Sequence, residues 1–451
     1  MRRIYVLGSQ WCIPCKKIFG DLQSRFDEEV SYVDIDAYPH LSERFNVRAL
    51  PTVVLTDGSK ILSASPVEDS RDALELIQTG FSDDSYTRRC IYREGGEPVR
   101  RDLLKIIRFI EDIFDWRSGG LSGGYKLIPY RELDFLIKAY LDTGVKGYLD
   151  MVHKTVDIIL QSRMVDYGSM RVSHASYTPD WESPDGVYLV EEQAEFARLL
   201  TWLNVLTGRR IYLDLAREFY KSALEFIDHG WRGVVEGKPI EWGEEAPNIF
   251  IDSIYNLAET GLSPLMRDSI ASLKHMVPKL SRGGRYPLIT IAKYINMLLS
   301  MYKYTADDYF LRQADLTLEE TLDWVGEPPL IDSPAPIHGE LDRWICRPCR
   351  ANLLFALTCY RASLYGMDYC LEKFRGILRI RWEPLLRNSL DSALYGLNIA
   401  AKIYGFDLVE IYGYGRIPSK ISESIKPYTE ILYRPGERKI EYISRGFKFK
   451  I

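Results

Sequence analysis

A chain of 451 residues with 58 basic and 63 acidic side chains has a formal net charge of −5, which gives no electrostatic ground for a nucleic-acid or anionic-membrane partner. That length implies two or three domains, the 46% hydrophobic content suits a globular interior, and no apolar run approaches the ~20 residues of a membrane span. Met1-Arg2-Arg3 leads straight into an apolar stretch without a small-residue cleavage site, so the expected compartment is the cytoplasm, and seven cysteines are too sparse for a secreted disulfide framework.

In chain order, the pattern predicts a strand at residues 3–8, a helix at 12–26, a strand at 30–34 and a short helix at 41–45. Leu50-Pro51-Thr52-Val53-Val54-Leu55 is an X-Pro step into a β-rich strand, followed by a turn at Asp57-Gly58-Ser59, a strand at 60–64 and a helix at 70–79. Where the first strand meets the first helix stands Trp11-Cys12-Ile13-Pro14-Cys15-Lys16. A Cys-x-x-Cys pair at a helix start places its first sulfur among unpaired amide groups at the positive end of the helix dipole. That favours the thiolate, the form that attacks disulfides. Such a pair is also half of a zinc site, but His40 is the only other nitrogen or sulfur ligand nearby and does not complete a tetrahedron, so no metal is expected.

This βαβ-then-ββα order, with Trp-Cys-x-Pro-Cys at the first helix and Leu-Pro-Thr at the third strand, resembles the thioredoxin family. The resemblance implies that Cys12 is the exposed nucleophile, flanked by Trp11, that Cys15 is the resolving thiol, and that Pro51 is cis and packed against the disulfide, presenting backbone to the substrate. One departure is Val6, where thioredoxins carry a buried Asp that accepts the proton of the resolving cysteine. Proton transfer from Cys15 then falls to water or Lys16. An inert structural dithiol on the same scaffold is the alternative.

Beyond Pro98 the sequence turns almost wholly helical. A long amphipathic helix is predicted at 99–116, followed by a Gly-rich loop at 118–129 that lacks the Gly-Lys-Ser/Thr ending of a phosphate cradle. One pattern then recurs six times, an apolar-periodic helix ending in Gly or Ala, at 132–144, 194–208, 250–261, 291–306, 351–366 and 391–405. Three of these are followed by a second helix opening at Tyr148, Tyr212 or Phe310, so the unit is an αα-hairpin. Six irregularly spaced hairpins with long aromatic-rich loops predict a closed (α/α)6 toroid, as in six-hairpin glycosidases. From residue 406 the pattern changes to strand, short helix at 419–425, strand, turn and strand, a small α/β appendage. The expected fold is therefore multidomain: an α/β thioredoxin fold at 1–85, a linker with amphipathic helix at 86–118, an all-α toroid at 119–405, and the appendage at 406–451.

Those parts in that order, with Gly123-Gly124-Tyr125-Lys126-Leu127-Ile128-Pro129 as the connecting loop, are similar to the thioredoxin-domain-containing family that includes spermatogenesis-associated protein 20. Where that family carries a Pro-His-Phe-Glu-Lys-Met run, this chain reads Tyr188-Leu189-Val190-Glu191-Glu192-Gln193-Ala194, keeping an acid without the His and Lys. The toroid is also similar to N-acylglucosamine epimerases and six-hairpin glycosidases, which use acidic or His residues at the mouth; this is analogy at the level of fold.

Candidate mouth residues follow from chemistry: Asp180, Trp181 and Glu182; Glu191 and Glu192; Trp242 and Glu244; His338, Glu340 and Asp342. Carboxylates with aromatics suit sugar stacking and protonation, whereas the plain alternative is capping and packing. A second Cys-x-Pro-Cys, Cys346-Arg347-Pro348-Cys349, is either a redox partner of Cys12 and Cys15 or a structural pair. The expected function is protein thiol-disulfide exchange without a cofactor. Its partners would be a protein disulfide or thiol and a thioredoxin-reductase-type reductant, with neither nucleic acid nor membrane involved. The alternative is a carbohydrate-active toroid that holds a sugar and uses the thioredoxin part as an accessory.

Overall fold

The computed structural model describes residues 3–26, 29–45, 49–58, 61–79, 98–242, 247–280, 286–325, 350–374, 389–405, 407–412, 429–434, 439–444 and 447–450, with single residues 47, 95, 96, 284, 341, 377 and 379. The first unit runs β1 (Arg3–Gly8), α1 (Ile13–Phe26), β2 (Val30–Asp34), α2 (Pro39–Arg44), β3 (Thr52–Thr56), β4 (Ile61–Pro66) and α3 (Ser70–Thr79). Its sheet has the order β2-β1-β3-β4, with β1 parallel to β2 and antiparallel to β3, and β3 antiparallel to β4. From Ile4 onwards every residue of β1 is apolar and buried because both faces are covered. Ile4 and Val6 pack with Ile18, Leu22 and Ile77, while Tyr5 and Leu7 pack with Leu41 and Phe45. This is the expected thioredoxin-like α/β fold, and Val6 is fully enclosed in its apolar core.

The helical region begins with α4 (Arg100–Asp112) and continues as hairpins: α5 (Tyr130–Thr143) with α6 (Lys146–Gln161), α7 (Val190–Thr207) with α8 (Arg210–Asp228), and α9 (Pro247–Glu259) with the short α10 (Arg267–Ser272). Next come α11 (Leu288–Thr305) with α12 (Asp308–Trp324), α13 (Arg350–Ser363) with α14 (Tyr369–Phe374), and finally α15 (Ser389–Tyr404). Helices α5, α7, α9, α11, α13 and α15 each pack on the next, and α15 returns to α5, so the inner ring closes. Each hairpin's second helix lies outside, and α4 takes the outer place beside α15. The toroid is therefore as expected.

Gly144 and Gly208 end α5 and α7 in the left-handed conformation that glycine adopts freely, and Ala306 does the same after α11 at φ 55°. Gly261 differs from the expected cap. It sits in a 3₁₀ turn against Tyr304, whose ring would lie 2.8 Å from a Cβ placed there, so close packing is what requires glycine.

Short strands decorate the end where the inner helices begin: β5 (Lys126–Leu127) pairs with β8 (Ala175–Ser176), and β6 (Val165–Asp166) with β7 (Arg171–Val172). There too β9 (Val187–Leu189), β10 (Trp231–Val235) and β11 (Lys238–Glu241) form a three-stranded sheet in the order β11-β10-β9. At the C-terminal side, β12 (Asp407–Tyr412), β13 (Thr429–Arg434), β14 (Lys439–Ser444) and β15 (Phe447–Lys450) form a sheet of order β13-β12-β14-β15. Here β12 is parallel to β13 and antiparallel to β14, and β14 is antiparallel to β15, the same order and sense as the N-terminal sheet. The helix predicted at 419–425 lies outside the described residues, and β15 was not anticipated from the sequence. Among the described residues no helix is long and apolar enough to cross a membrane.

Candidate active site

Cys12 stands just before α1 and Cys15 lies in its first turn, joined as a disulfide. The Cys15 amide donates to Cys12 Sγ at 3.2 Å, so the helix start points a hydrogen-bond donor at the sulfur that would carry thiolate charge. The Leu50–Pro51 peptide is cis. Gly8, at the end of β1, lets the sheet approach closely: a Cβ there would lie 2.5 Å from Tyr32 Oη and 2.7 Å from Cys15 Cβ. The Tyr32 hydroxyl thus stands beside the stem of the resolving cysteine and donates to the Ser9 carbonyl at 2.7 Å. Burial, then the Asp34 charge, raises the Tyr32 pKa far above the phenol range.

Cys12 is only 4% exposed and Cys15 fully buried, which corrects the expectation of an exposed nucleophile. The toroid contributes to that environment. The Trp11 ring lies 4.6 Å, centroid to centroid, from His174 in the loop before β8, and His174 Nδ1 is 2.7 Å from Glu192 Oε1. Burial works against charge on His174, but the Glu192 carboxylate outweighs it and raises the pKa. Arg232 on β10 is completely buried; it pairs with Asp36, reaches Asp34 at 3.6 Å and donates to Ser9 Oγ at 3.1 Å. Asp36 also accepts from Ser9 Oγ and from Trp11 Nε1, the latter at 3.2 Å. Sequence reasoning missed His174 and Arg232, since neither belongs to a motif and each meets the dithiol face only through the tertiary fold.

At the same end a cavity of 740 Å³ opens into the bore, lined among others by Arg131, Glu195, Asp252 and Lys293, and by Val47 of the N-terminal domain. Glu191, beside it in the first turn of α7, has an Oε2 shielded from solvent without a hydrogen-bond partner. Burial first, and the neighbouring Glu192 charge second, push the Glu191 pKa up to about 8. Burial also lifts Glu195, to about 7, against the pull of Arg131 and Arg198. Asp252 behaves oppositely. Burial disfavours its charge, but Lys293 at 2.9 Å and Arg131 overcome that and hold it below the usual carboxylate range.

The other predicted mouth residues divide. Trp181 is fully buried against Gly120 and donates to the Ser118 carbonyl at 2.8 Å, a packing role. Asp180 organises its own turn by accepting from Thr178 Oγ1 and the Glu182 amide. Trp242 packs edge-on to Phe250, ring centroids 5.3 Å apart. Glu244, His338, Glu340, Asp342, Cys346 and Cys349 lie outside the described residues. Among the described residues no group of His, Cys, Asp and Glu could hold a metal ion.

Deeper in the bore, a second cavity of 120 Å³ is lined by charges that read as surface residues in the sequence, including Glu259, Lys303, Arg361 and Glu430. Glu430 of β13 pairs with Lys303 at 2.6 Å and Arg361 at 2.9 Å, and Glu259 meets the same two cations at 3.2 and 2.9 Å. Nearby, burial brings the Lys138 amine down to about 8, where it lies 4.3 Å above the Trp202 ring. Cys359 and Cys370, both buried, link α13 to α14.

Over 75 residues this chain is 33% identical to the thioredoxin of Chlamydia muridarum, covering 72% of that protein and 15% of this chain. The chain belongs to the thioredoxin family through its N-terminal domain. It is also 45% identical over 59 residues to a putative thioredoxin H10 of Arabidopsis thaliana, where the shared stretch spans 38% of that protein. No family model matches the chain. The toroid that follows the thioredoxin domain is similar to two solved structures. A sugar epimerase from a ruminal bacterium has a TM-score of 0.51 at 12% identity, over 64% of this chain and 85% of the other. The cellobiose 2-epimerase of Spirochaeta thermophila has a TM-score of 0.50 at 16% identity, over 62% and 83%. At such identities the likeness is one of fold.

Proposed function

We propose that the chain is a protein thiol-disulfide oxidoreductase working through Cys12 and Cys15. The observation that carries this reading is the Cys15 amide aimed at Cys12 Sγ at the start of α1, within a thioredoxin domain that also holds the cis Leu50–Pro51 bond. In the reductive direction the Cys12 thiolate attacks a substrate disulfide, and one substrate sulfur leaves as a thiol. Cys15 then attacks Cys12 Sγ in the mixed disulfide and releases the second. Two electrons pass to the substrate, and the Cys12–Cys15 disulfide remains. A reductant of the thioredoxin-reductase type restores the dithiol. Val6 offers no acceptor for the proton of Cys15, so that transfer falls to water or Lys16. The order of domains supports kinship with the family of spermatogenesis-associated protein 20. Insulin reduction by the full chain tests the reading: Cys12→Ser should abolish turnover, and undiminished activity in that variant overturns it. Mass mapping in the same assay reads whether Cys346 and Cys349 exchange with the first pair.

A second reading rests on the bore. A buried acid that holds its proton, Glu191, feels the charges of Asp252 and Lys293, which line the cavity of 740 Å³, and that pairing of a protonated with an ionised carboxyl supports acid–base chemistry on a bound sugar. Incubation with cellobiose, followed by NMR of the anomeric protons, tests it. New signals that vanish in Glu191→Gln support the reading, and unchanged spectra with the wild-type chain remove cellobiose as substrate.

A further inference from the structure

We propose that the toroid is the resident partner of the dithiol face, so that exchange with a protein disulfide requires the thioredoxin domain to lift from the surface formed by His174 and Arg232. The inference rests on the exchange reading above. Attack on a disulfide needs the Cys12 sulfur in line with the substrate S–S bond, with room for the leaving sulfur beyond it. Here Cys12 is 4% exposed, so a folded protein substrate has no approach while the domains are together.

The covering contact has the character of a built interface. A completely buried guanidinium is costly unless its charge is matched, and Arg232 is matched by two carboxylates, Asp34 and Asp36, both supplied by the thioredoxin domain. Asp36 also accepts from Trp11 Nε1, so the carboxylate that holds the toroid also holds the ring next to Cys12. On the other side of that ring stands His174, itself fixed by Glu192 of α7. Helix α2 also packs against α11, and Val47 reaches the mouth of the bore, so lifting the domain would uncover the dithiol and widen the entrance to the cavity in one movement.

The test uses the full chain, reduced and then freed of reductant. Iodoacetamide labelling of Cys12, quantified by peptide mass, is compared with insulin reduction in the wild type, Arg232→Ala and His174→Ala. Arg232→Ala should label at least tenfold faster at Cys12 and reduce insulin correspondingly faster. His174→Ala, which removes only one ring from the interface, should give a smaller gain of the same sign and serves if Arg232→Ala does not fold. Equal Cys12 labelling in wild type and both folded variants overturns the proposal. Faster labelling without insulin turnover in any variant upholds the docking and removes the exchange reading. Equal and rapid insulin turnover in all three upholds exchange and removes the docking.

Discussion

The two four-stranded sheets share a strand order and the same pattern of parallel and antiparallel neighbours, yet they meet opposite ends of the bore with different chemistry. After β1 comes Ser9-Gln10-Trp11-Cys12, and the sheet faces the toroid with a dithiol, a tryptophan and two aspartates. After β12 comes Gly413-Tyr414-Gly415-Arg416, no cysteine occurs beyond Cys370, and β13 sends Glu430 into a cluster of buried cations. The shared topology sets where a loop and a strand end are placed; the residues on them decide whether the contact is a reactive face or a fixed plug. The N-terminal contact is expected to be separable and the C-terminal one permanent.

The largest expected effect breaks the permanent end. Glu430→Ala leaves Lys303 and Arg361 sharing Glu259 alone and should cost about 3–5 kcal/mol in urea unfolding of the full chain. A loss below ~1 kcal/mol would mean that the C-terminal sheet is as loosely held as the N-terminal one is expected to be. Next comes the interior of the thioredoxin domain. Gly8→Ala places a methyl against Tyr32 Oη and Cys15 Cβ and should cost about 1–3 kcal/mol, read as faster hydrogen exchange in β1 and β3 with the toroid helices unchanged.

Glu191 gives a smaller effect that depends on pH. Its folded pKa of about 8 lies above the 4.5 of an ordinary glutamate, so the folded chain holds the proton longer and stability falls as pH rises through that window. Glu191→Gln removes this penalty, and its Tm advantage should grow from pH 5 to pH 8 to on the order of a few °C. The smallest effect concerns His174. Its folded pKa is raised, so its ion pair with Glu192 contributes fully below the unfolded value and is lost as pH climbs through the folded one. His174→Gln should therefore lower the unfolding free energy most near pH 6 and little near pH 9, by about 1 kcal/mol or less at its maximum.

Much of this architecture was legible in the sequence because hydrophobic pattern reports burial directly. Strand β1, apolar at every inner position, and the inner helices ending at Gly144, Gly208 or Gly405 could be placed without coordinates. Charged residues carry no such signal. Arg232 reads like any arginine in a loop, and Lys303 and Arg361 read like the solvent-facing turns of helices, although all three are buried. The contact beside Cys12 was hidden for the same reason, since His174 and Arg232, which meet Trp11 and Asp36, lie more than a hundred residues later in the chain. Composition pointed to Glu191 and Glu192, while Glu195 and Asp252, which line the cavity, passed as ordinary amphipathic polar positions of their helices.

Helix α4 has a consequence for how the chain is made. It emerges from the ribosome before any other helix of the toroid, with Leu103, Ile106, Ile107 and Ile110 along one face. Part of its cover is α15, which cannot appear until residues 389–404 have been synthesised. Ring closure therefore joins the first and last helices across nearly the whole domain, a high contact order that slows folding and leaves an apolar stripe incompletely covered during translation. A circular permutant that opens in the loop before α11 would leave only residues 405–451 and 1–99 between α15 and α4 in synthesis and should shorten that exposure.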